Sequence, residues 1–317
     1  MLSYIVRRII QTIFTTFVVI SVIFLLIHIL PGDPALTILG GLAGTPTEEQ
    51  VQLVRERLGL DLPLGAQYVR YLGRLVRGNL GVSFATNRPV VVDIALRIPR
   101  TLQIVVPAIL LAALVGVPLG ILASTHRGGP VDFLVSSASV TAFSLPAFVS
   151  GLLLVLVFAI QFRLLPSGGY VAPSRDFGEF FSRIILPVIT LAVSPAGMTM
   201  RMTRSSTLEQ LGLDYVTTAR AKGLGDRRVL YRHVLRNSLI PVVTSLGLQM
   251  GIMFAGSVIV ENIFNWPGVN SLLLQSVLDR DYPVIQGVIL VVSVMFICIN
   301  LLTDLTYGLI DPRIRYD

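Results

Sequence analysis

The sequence is short of the side chains on which soluble enzymes depend. It has one cysteine, Cys298, and one lysine, Lys222, among 317 residues. A single cysteine excludes a disulfide within the chain and argues against a cysteine-ligated metal cluster. Because Lys222 is followed by glycine, the sequence also lacks the Gly-x-x-x-x-Gly-Lys-Ser/Thr loop that binds the phosphates of ATP. We therefore expect that this chain does not hydrolyse ATP.

Catalytic and metal-binding patterns are also missing. The three histidines, His28, His126 and His233, lie in separate segments, and no nucleophile, base and orienting group occur together. We predict no catalytic residues, no metal site and no cofactor bound by this chain. His28, near the end of the first apolar run, can be read as a metal ligand, but a neutral histidine bonded to a neighbouring helix is the simpler interpretation.

Charge is scarce, and long apolar runs take its place. Charged residues make up 14% of the chain and hydrophobic residues 53%, with a mean hydropathy of +0.77. A water-soluble domain seldom has this composition. A helix needs about 20 apolar residues to cross a bilayer. Uncharged runs of that order predict six membrane spans, at residues 9–30, 102–124, 133–162, 184–200, 239–260 and 284–303.

Three of these runs carry a local complication. The first follows Arg7 and Arg8 like a signal peptide, but it is longer than a signal core and no small-residue cleavage pattern follows, so we expect it to stay as a membrane anchor. The third is long enough to tilt or bend at Pro146. The fourth is short and contains Pro187 and Pro195, which leaves its ends uncertain.

The distribution of basic residues predicts the orientation. Six spans place both termini on one side, and the short segments on that side are rich in arginine, above all residues 201–236. The opposite short loops contain few basic residues, which are Arg163, Arg175, Arg183 and Arg280. Because short basic segments stay in the cytoplasm, we predict a multi-pass protein of the bacterial cytoplasmic membrane with both termini cytoplasmic.

The segment between the first two runs, residues 31–101, is predicted to lie outside the cell membrane and to contain two helices. Thr45, Pro46 and Glu48 form a helix start, and Gly59 can end that helix. A second apolar pattern ends at Gly78. The residues of these two patterns are Val51, Val54, Leu58, Tyr68, Leu72, Leu75 and Val76. The segment is either a small helical cap on the outer mouth or a spacer that lengthens the loop.

The segment between the fourth and fifth runs, residues 201–238, contains a short predicted helix. Asp214 is a good N-cap for a helix from Tyr215 to Lys222, and Gly223 is a natural stop. The helix is rich in alanine and threonine, so its slender sides can lie in a groove on a partner protein. By charge alone, a solvated basic anchor is the more usual interpretation of this segment.

One ordered string in this segment resembles a known signature. Residues 214–224, which read Asp-Tyr-Val-Thr-Thr-Ala-Arg-Ala-Lys-Gly-Leu, are followed by His233, Arg236, Asn237 and Pro241. This order closely resembles the cytoplasmic signature of ABC importer permeases of the oligopeptide, dipeptide and nickel branch. In that family the segment contains the coupling helix, which docks into the ATP-binding subunit.

Other motifs of the same branch extend the resemblance over the whole chain. They are Leu30-Pro31-Gly32-Asp33-Pro34, Ile263-Phe264-Asn265-Trp266-Pro267-Gly268, Arg280-Asp281-Tyr282-Pro283 with Gln286 and Gly287, and Asp304, Tyr307, Asp311, Pro312 and Arg313. The long first outer loop is similar to that of the first of the two homologous permeases in such systems. Two departures are Thr217-Thr218-Ala219 in place of Glu-Ala-Ala and Asn270 in place of a common glycine; the first is normal for this branch.

The resemblance implies an all-α fold of the type I importer, with six transmembrane helices and a small helical periplasmic insertion after the first. The implied organisation is residues 1–30 for the first span, 31–101 for the insertion, 102–310 for the core with a coupling loop at 201–240, and 311–317 for a cytoplasmic tail. The implied partners are a second permease, two ATP-binding subunits that hold ATP and Mg, and a periplasmic or lipid-anchored solute-binding protein.

The resemblance also assigns roles to residues. The expected ATPase-coupling residues are Asp214, Tyr215, Thr218, Ala219, Arg220, Ala221, Lys222, Gly223, Leu224, His233, Arg236, Asn237 and Pro241. The expected residues of the periplasmic mouth, where a binding protein docks, are Pro31, Gly32, Asp33, Pro34, Asn265, Trp266, Pro267 and Gly268. Gln249, a polar residue in an apolar run, is a candidate pathway residue together with Met250 and Met253.

The expected function is import of peptides, with ATP hydrolysis by a separate subunit. The same machinery can carry nickel, glutathione or an opine-like solute, because the binding protein largely selects the solute. An ion-coupled secondary carrier is the alternative from another class, and it is disfavoured because none of the six runs contains an interior charge. A membrane-bound enzyme is disfavoured by the missing catalytic set.

Overall fold

The computed structural model describes residues 2–29, 47–49, 51, 52, 55 and 61–310, with side chains for 6–25, 47–49, 51, 52, 55 and 61–305. Over these residues the fold is mostly helical. No β-strand occurs in these ranges, and Val82 and Pro89 form an isolated antiparallel bridge. The predicted all-α fold is therefore confirmed.

The helices are numbered here in chain order. In chain order they are α1 (Leu2–Ile29), α2 (Leu64–Val76), α3 (Val90–Thr125), α4 (Pro130–Ser144), α5 (Ala147–Leu154), the π-helical segment π1 (Val155–Gln161), α6 (Phe177–Leu211), α7 (Asp214–Ala221), α8 (Asp226–Val229), the π-helical segment π2 (Leu230–Val234), α9 (Leu235–Gly256), α10 (Val258–Ile263), α11 (Val269–Leu278) and α12 (Tyr282–Ile310).

Five continuous helical stretches are long and apolar enough to cross a membrane. They are Val6–Leu25, Val90–Thr125, Phe177–Leu211, Asp226–Gly256 and Tyr282–Leu305. A sixth span is formed if α4 and α5 with π1 are counted together, since this pair also passes the length and hydropathy requirements. Each of the six predicted runs overlaps one of these stretches, so the prediction of six spans agrees with the structure when the bent pair is one span.

The third predicted run is broken rather than gently tilted. The chain bends by 103° between α4 and the helical stretch Ala147–Gln161, which consists of α5 followed by π1. Leu145 and Pro146 leave the helix at this point, with extended backbone at both residues. Proline cannot donate the helical hydrogen bond and restricts the residue before it to extended conformations, which explains why the break lies at the predicted position.

The fourth span is longer than its apolar run predicts. Asp176 begins α6 because its side chain accepts a hydrogen bond from the backbone N–H of Glu179 at 2.9 Å. The helix then continues through Pro187 and Pro195 to Leu211. The segment predicted as a coupling loop at 201–240 therefore starts as helix, and its first turns are a direct extension of the span.

Small residues let the membrane helices approach closely. A Cβ atom added to Gly116 or Gly120 of α3 would collide with Thr199 or with Thr203 of α6. Gly197 of α6 lies in the same way against the backbone of α4. Helix association in a bilayer depends on such close packing, because lipid offers no hydrophobic driving force between apolar helices. These glycines therefore fix α3 and α4 against α6.

The chain divides into two compact units. The first comprises residues 1–9, 102–266 and 296–317, and the second comprises residues 10–101 and 267–295. In the first unit, Arg8 near the start of α1 forms an ion pair with Asp304 of α12 at 3.1 Å. In the second unit, Phe24 of α1 packs on Tyr68 of α2, with ring centroids 5.2 Å apart. The predicted division at 30, 101 and 310 stays a prediction.

The segment at residues 31–101, predicted to lie outside the cell membrane, contains the second of its two predicted helices. The structure places α2 over Leu64–Val76, and Gly78 follows in a left-handed conformation with φ of 69°. Of the first predicted helix, Glu48, Glu49, Val51, Gln52 and Arg55 are helical. Thr45, Pro46, Val54, Leu58 and Gly59 lie outside the described residues.

Candidate coupling surface and outer loop

The short helix α7 lies where the sequence predicts it, with its first residue shifted. Leu213 is the N-cap, and its carbonyl accepts a hydrogen bond from the N–H of Val216 at 3.0 Å. The prediction that Asp214 is the N-cap is therefore wrong, because Asp214 lies inside the first turn and makes no capping hydrogen bond. Its negative charge still lies at the positive end of the helix dipole.

The end of α7 is the glycine stop that the sequence predicts. Gly223 has φ of 80°, which a residue with a side chain rarely adopts. Its N–H donates to the carbonyl of Arg220 at 2.9 Å, and the N–H of Leu224 donates to the carbonyl of Ala219 at 3.3 Å. This is the Schellman arrangement that closes helices at glycine. Leu224 then packs onto the apolar side of α7.

A small apolar core holds α7 in place. Val216 and Ala219 of α7 are buried against Val229 of α8 and Val234 of π2. Half-buried apolar side chains that pack around this core are Leu211, Tyr215, Leu224 and Leu230. An isolated helix of eight residues is not stable in water, whereas full burial of one valine contributes about 1.5–3 kcal/mol. The core, not helix propensity, is what stabilises α7.

The opposite face of α7 is exposed and made of small side chains. Thr217, Thr218 and Ala221 are exposed, in contrast to Val216 and Ala219. Of the predicted coupling residues, Ala219 is therefore part of the supporting core and not of the outer face. The small residues leave a narrow ridge that can enter a groove on another protein.

Charged side chains surround this ridge. Arg220 donates from Nε to Asp226 Oδ1 at 2.9 Å, which connects α7 to the start of α8. Lys222 is exposed beside them, and further exposed basic residues follow along the chain, which are Arg227, Arg228, Arg232 and Arg236. Because Arg220 and Asp226 are exposed, their contact adds little stability, and the exposed basic side chains make this part of the chain positively charged.

The other predicted coupling residues lie on or beside this element. Tyr215 donates its hydroxyl to Gln210 Oε1 at 2.9 Å and so connects α7 to the end of α6. His233 is half-buried in π2, Asn237 is exposed on α9, and Pro241 is inside α9. Val229 and Val234 are partners of α7 that were not predicted, although both are apolar positions in an otherwise polar stretch.

The end of α6 is also fixed to its neighbours. Ser206 Oγ donates to the carbonyl of Ser238 on α9 at 2.9 Å. Arg204 binds Asp132, at the start of α4, through two hydrogen bonds. Arg204 belongs to the basic segment 201–236, and no local pattern indicates its partner, because the two residues are 72 positions apart.

Trp266 of the predicted periplasmic motif is buried and not exposed at the surface. It is 1% exposed and packs edge-to-face on Tyr170, with centroids 4.9 Å apart. Asn265, beside it, is exposed and has φ of 47°. The N–H of Gly169 donates to the carbonyl of Phe264 at 2.7 Å, so the loops around 169 and 265 are held together. Asn265 is thus the accessible side chain here.

The remaining predicted sites are only partly described. Pro267 is half-buried, and Gly268 is buried as the N-cap of α11, next to the buried Asn270. The predicted mouth residues Pro31, Gly32, Asp33 and Pro34, and the side chain of His28, lie outside the described residues.

The predicted pathway residues all lie on α9. Gln249 donates to Ser245 Oγ one turn earlier at 3.0 Å, Met250 is half-buried and Met253 is buried. Gly251, between the two methionines, lies against Phe296 and Asn300 of α12. Gln249 is thus occupied by a contact within its own helix.

Two protein families match the sequence over nearly its whole length. Residues 116–316 match the family described as "Binding-protein-dependent transport system inner membrane component", and residues 1–105 match the N-terminal component of the same systems.

The described residues contain no cluster of three or more histidine, cysteine, aspartate or glutamate side chains that could hold a metal ion.

Individual proteins agree with the family match. The chain is 43% identical over 317 residues to "Glutathione transport system permease protein GsiC" of Escherichia coli O6:H1, covering 100% of both chains. It is 41% identical over 313 residues to "Probable peptide ABC transporter permease protein y4tP" of Sinorhizobium fredii, covering 99% of both.

A solved structure shows the same fold. The inward-facing MetNI methionine ABC transporter matches with a TM-score of 0.58 at 16% identity, covering 69% of this chain and 96% of that chain. Together with the apolar helices, these likenesses identify a multi-pass membrane protein. The chain belongs to the binding-protein-dependent transport system inner membrane component family and is a permease subunit of an ABC importer.

Proposed function

We propose that this permease forms half of the translocation pathway for short peptides and is driven by a separate ATPase through α7. Membership of the family implies an ATPase and a solute-binding component. The observation that carries the coupling role is the division of α7 into a buried face, Val216 and Ala219, and an exposed ridge of Thr217, Thr218 and Ala221. The chain itself is the non-catalytic subunit, and ATP and Mg are held by its partners.

The proposed assembly has four kinds of component. A homologous second permease completes the pathway, two ATP-binding subunits lie on the cytoplasmic side, and a periplasmic or lipid-anchored protein delivers the solute. ATP binding closes the lower subunits and carries α7 with them. Because α7 is fixed to α6 through Tyr215 and Gln210, the movement is passed to a membrane span.

In the proposed orientation, α7 and both termini lie in the cytoplasm of the bacterial inner membrane. Support comes from the exposed basic residues around α7, since such segments stay on the cytoplasmic side. The loop containing Asn265 then lies on the outer side, where the solute-binding protein docks. Gln249, Met250 and Met253 remain candidate pathway residues.

Glutathione is the second candidate solute, and a specific observation favours it. The 43% identical protein is named as a glutathione permease, while the 41% identical protein is named as a peptide permease. Glutathione is itself a tripeptide, so one pathway could accept both kinds of solute. Nickel and opine-like solutes are alternatives within the same machinery.

The test uses the complete importer, with the products of the neighbouring genes, reconstituted in lipid nanodiscs. ATP hydrolysis is measured with the solute-binding protein loaded with trialanine, glutathione or Ni²⁺. Stimulation by trialanine supports a peptide importer, and stimulation by glutathione alone narrows the solute to that tripeptide. Stimulation by Ni²⁺ alone contradicts the peptide proposal, and failure of any ATPase to co-purify contradicts the coupling role of α7.

A further inference from the structure

The second compact unit contains a cavity to which no role has been assigned. Its volume is about 400 Å³. Its walls come from α2, from the loop at residues 79–87 and from the first turns of α12. Asn79, Val82 and Asn87 line it and are exposed, so the cavity is open to solvent on the loop side.

Two polar atoms in the wall have no hydrogen-bond partner among the described residues. They are the hydroxyl of Tyr71 and Nε of Arg74, one turn apart on α2. Tyr71 is 6% exposed, and its ring is held by Phe24 with centroids 5.5 Å apart. Burial of a polar group without a hydrogen-bond partner is unfavourable, so a ligand that accepts hydrogen bonds from these two atoms would relieve that cost.

Both orphan atoms are hydrogen-bond donors. A guanidinium can only donate. Burial raises the pKa of Tyr71 to about 12, with the nearby Arg74 opposing the shift, so its hydroxyl stays protonated at any physiological pH. Among the described residues that line the cavity, Arg74 is the charged one, and none is an aspartate or glutamate. The cavity therefore offers positive charge and unused donors.

The remaining polar wall is fixed in place. Asn79 Oδ1 accepts a hydrogen bond from the N–H of Gly81 at 2.9 Å. Ser83 donates to Asp281 Oδ2 at 2.6 Å, and the N–H of Ala85 donates to the same oxygen at 3.3 Å. These bonds fasten the loop to the start of α12. The cavity is thus preorganised, which lowers the entropic cost of binding.

We infer that this cavity is a binding site for a carboxylate, which accepts hydrogen bonds from the Tyr71 hydroxyl and the Arg74 guanidinium. Gln286 also lines the cavity and has a side-chain amide that can donate a hydrogen bond. A carboxylate has two oxygens and a negative charge, which match two neighbouring donors, one of them cationic. The site goes beyond the proposed function; only the identity of its ligand rests on that proposal and on its orientation.

The carboxylate has two possible sources on the proposed outer side. One is the free terminus of a short peptide solute, and the other is an acidic side chain of the docked solute-binding protein. The two sources share their chemistry and differ in what is bound. Binding of a small peptide without the binding protein distinguishes them.

The test compares variants of the complete importer in nanodiscs, without ATP. The variants Tyr71→Phe and Arg74→Gln each remove one donor. Arg70→Gln, on the exposed face of the same helix, removes the same charge away from the cavity and serves as the matched control. Binding of radiolabelled trialanine and of trialanine amide is measured by equilibrium dialysis, and affinity for the binding protein is measured separately.

If the solute supplies the carboxylate, the wild-type importer binds trialanine more tightly than its amide. Arg74→Gln and Tyr71→Phe then weaken trialanine binding by about tenfold, and Arg70→Gln leaves it unchanged. If the binding protein supplies the carboxylate, the same two variants instead weaken the affinity of the importer for the binding protein, by a similar factor.

The inference is overturned if all three variants have the same affinity for trialanine and the same affinity for the binding protein. Because neither readout requires ATP hydrolysis, this result is separable from failure of the proposed function. That failure would show as a wild-type importer whose ATPase does not respond to any loaded binding protein. Unchanged elution of each variant complex in size-exclusion chromatography shows that the variants are folded.

Discussion

Arg204 of α6 binds Asp132 of α4 through two guanidinium nitrogens: Nε lies 2.5 Å from Oδ1 and Nη2 lies 2.8 Å from Oδ2. Asp132 also accepts from the N–H of Gly128 at 2.9 Å and from Ser136. The carboxylate is buried, while a third of the Arg204 side chain is exposed. Because α6 leads directly into α7, this pair connects the helix that precedes α7 to the start of α4.

Removing the carboxylate should destabilise the importer. Asp132→Asn leaves the guanidinium of Arg204 without its counter-charge, which we expect to lower the free energy of unfolding by about 2–3 kcal/mol. This is at or below the lower end of the usual range for breaking a buried ion pair, because Arg204 is partly exposed. The thermal midpoint of the purified complex should fall. Asp132→Asn combined with Arg204→Gln should recover part of the loss. A single variant as stable as the wild type would show that the pair contributes nothing.

The exposed ridge of α7 should be sensitive to bulk. Ala221→Arg should leave the permease in the membrane but uncouple ATP hydrolysis from import, because a long charged side chain prevents the ridge from entering a groove. Ala221→Ser keeps the size and should behave as the wild type. The measurement is transport per ATP hydrolysed in proteoliposomes. Normal transport by Ala221→Arg would exclude this face as the docking surface.

Ala219→Arg should fail for a different reason. Ala219 is 8% exposed in the core of α7, so an arginine there displaces the helix from Val229 and Val234. We expect uncoupled transport together with faster amide exchange throughout α7, measured by hydrogen exchange. Ala221→Arg should uncouple without faster exchange. Slow exchange in Ala219→Arg would contradict the supporting role of the core.

Gly223 should tolerate asparagine better than proline. Its φ of 80° is accessible to asparagine at small cost, whereas proline is fixed near −65° and lacks the N–H that bonds Arg220. Gly223→Pro should therefore open the end of α7 and uncouple ATP hydrolysis from import, and Gly223→Asn should retain most coupling. The ratio of transport to ATP hydrolysis checks this. Equal losses in both variants would mean that backbone conformation is not the cause.

Two glycines in helices should respond oppositely to alanine. A Cβ on Gly197 of α6 would meet the backbone carbonyl of Ser139, whereas Gly73 of α2 has nothing within 4 Å. Gly197→Ala should destabilise by about 1–3 kcal/mol through overpacking. Gly73→Ala should stabilise by up to about 1 kcal/mol through helix propensity. The thermal midpoints of the two variant complexes measure these changes in stability. A shift of both midpoints in the same direction would contradict the packing argument.

The proposed orientation can be mapped with single cysteines, because Cys298 is the sole natural one and Cys298→Ser removes it. Gln275→Cys on α11 and Arg228→Cys on α8 are both at exposed positions. A membrane-impermeant maleimide applied to intact spheroplasts should label Gln275→Cys, and label Arg228→Cys only after permeabilisation. The reverse pattern would invert the topology.

Local sequence patterns predicted the helices well. The apolar runs locate all six spans, Pro146 marks the bend, and Gly223 marks the end of α7. The start of α7 was wrong by one residue, since Asp214 has capping propensity but the backbone of Leu213 makes the first bond. The length of α6 was underestimated because hydropathy records only where a helix is apolar, and the polar turns beyond residue 200 remain helical.

The sequence by itself determined the membrane class, the spans, the glycine-stopped helix and the family, because each follows from residues close together or from an ordered motif. Tertiary structure alone decided which side of α7 is buried, so that Ala219 lies inward and Ala221 outward. It also decided that Trp266 packs inside its loop, that Arg204 meets Asp132, and that Tyr71 and Arg74 line one cavity. Such relationships join residues far apart in the chain, and only the packing of helices against one another brings their side chains within contact distance.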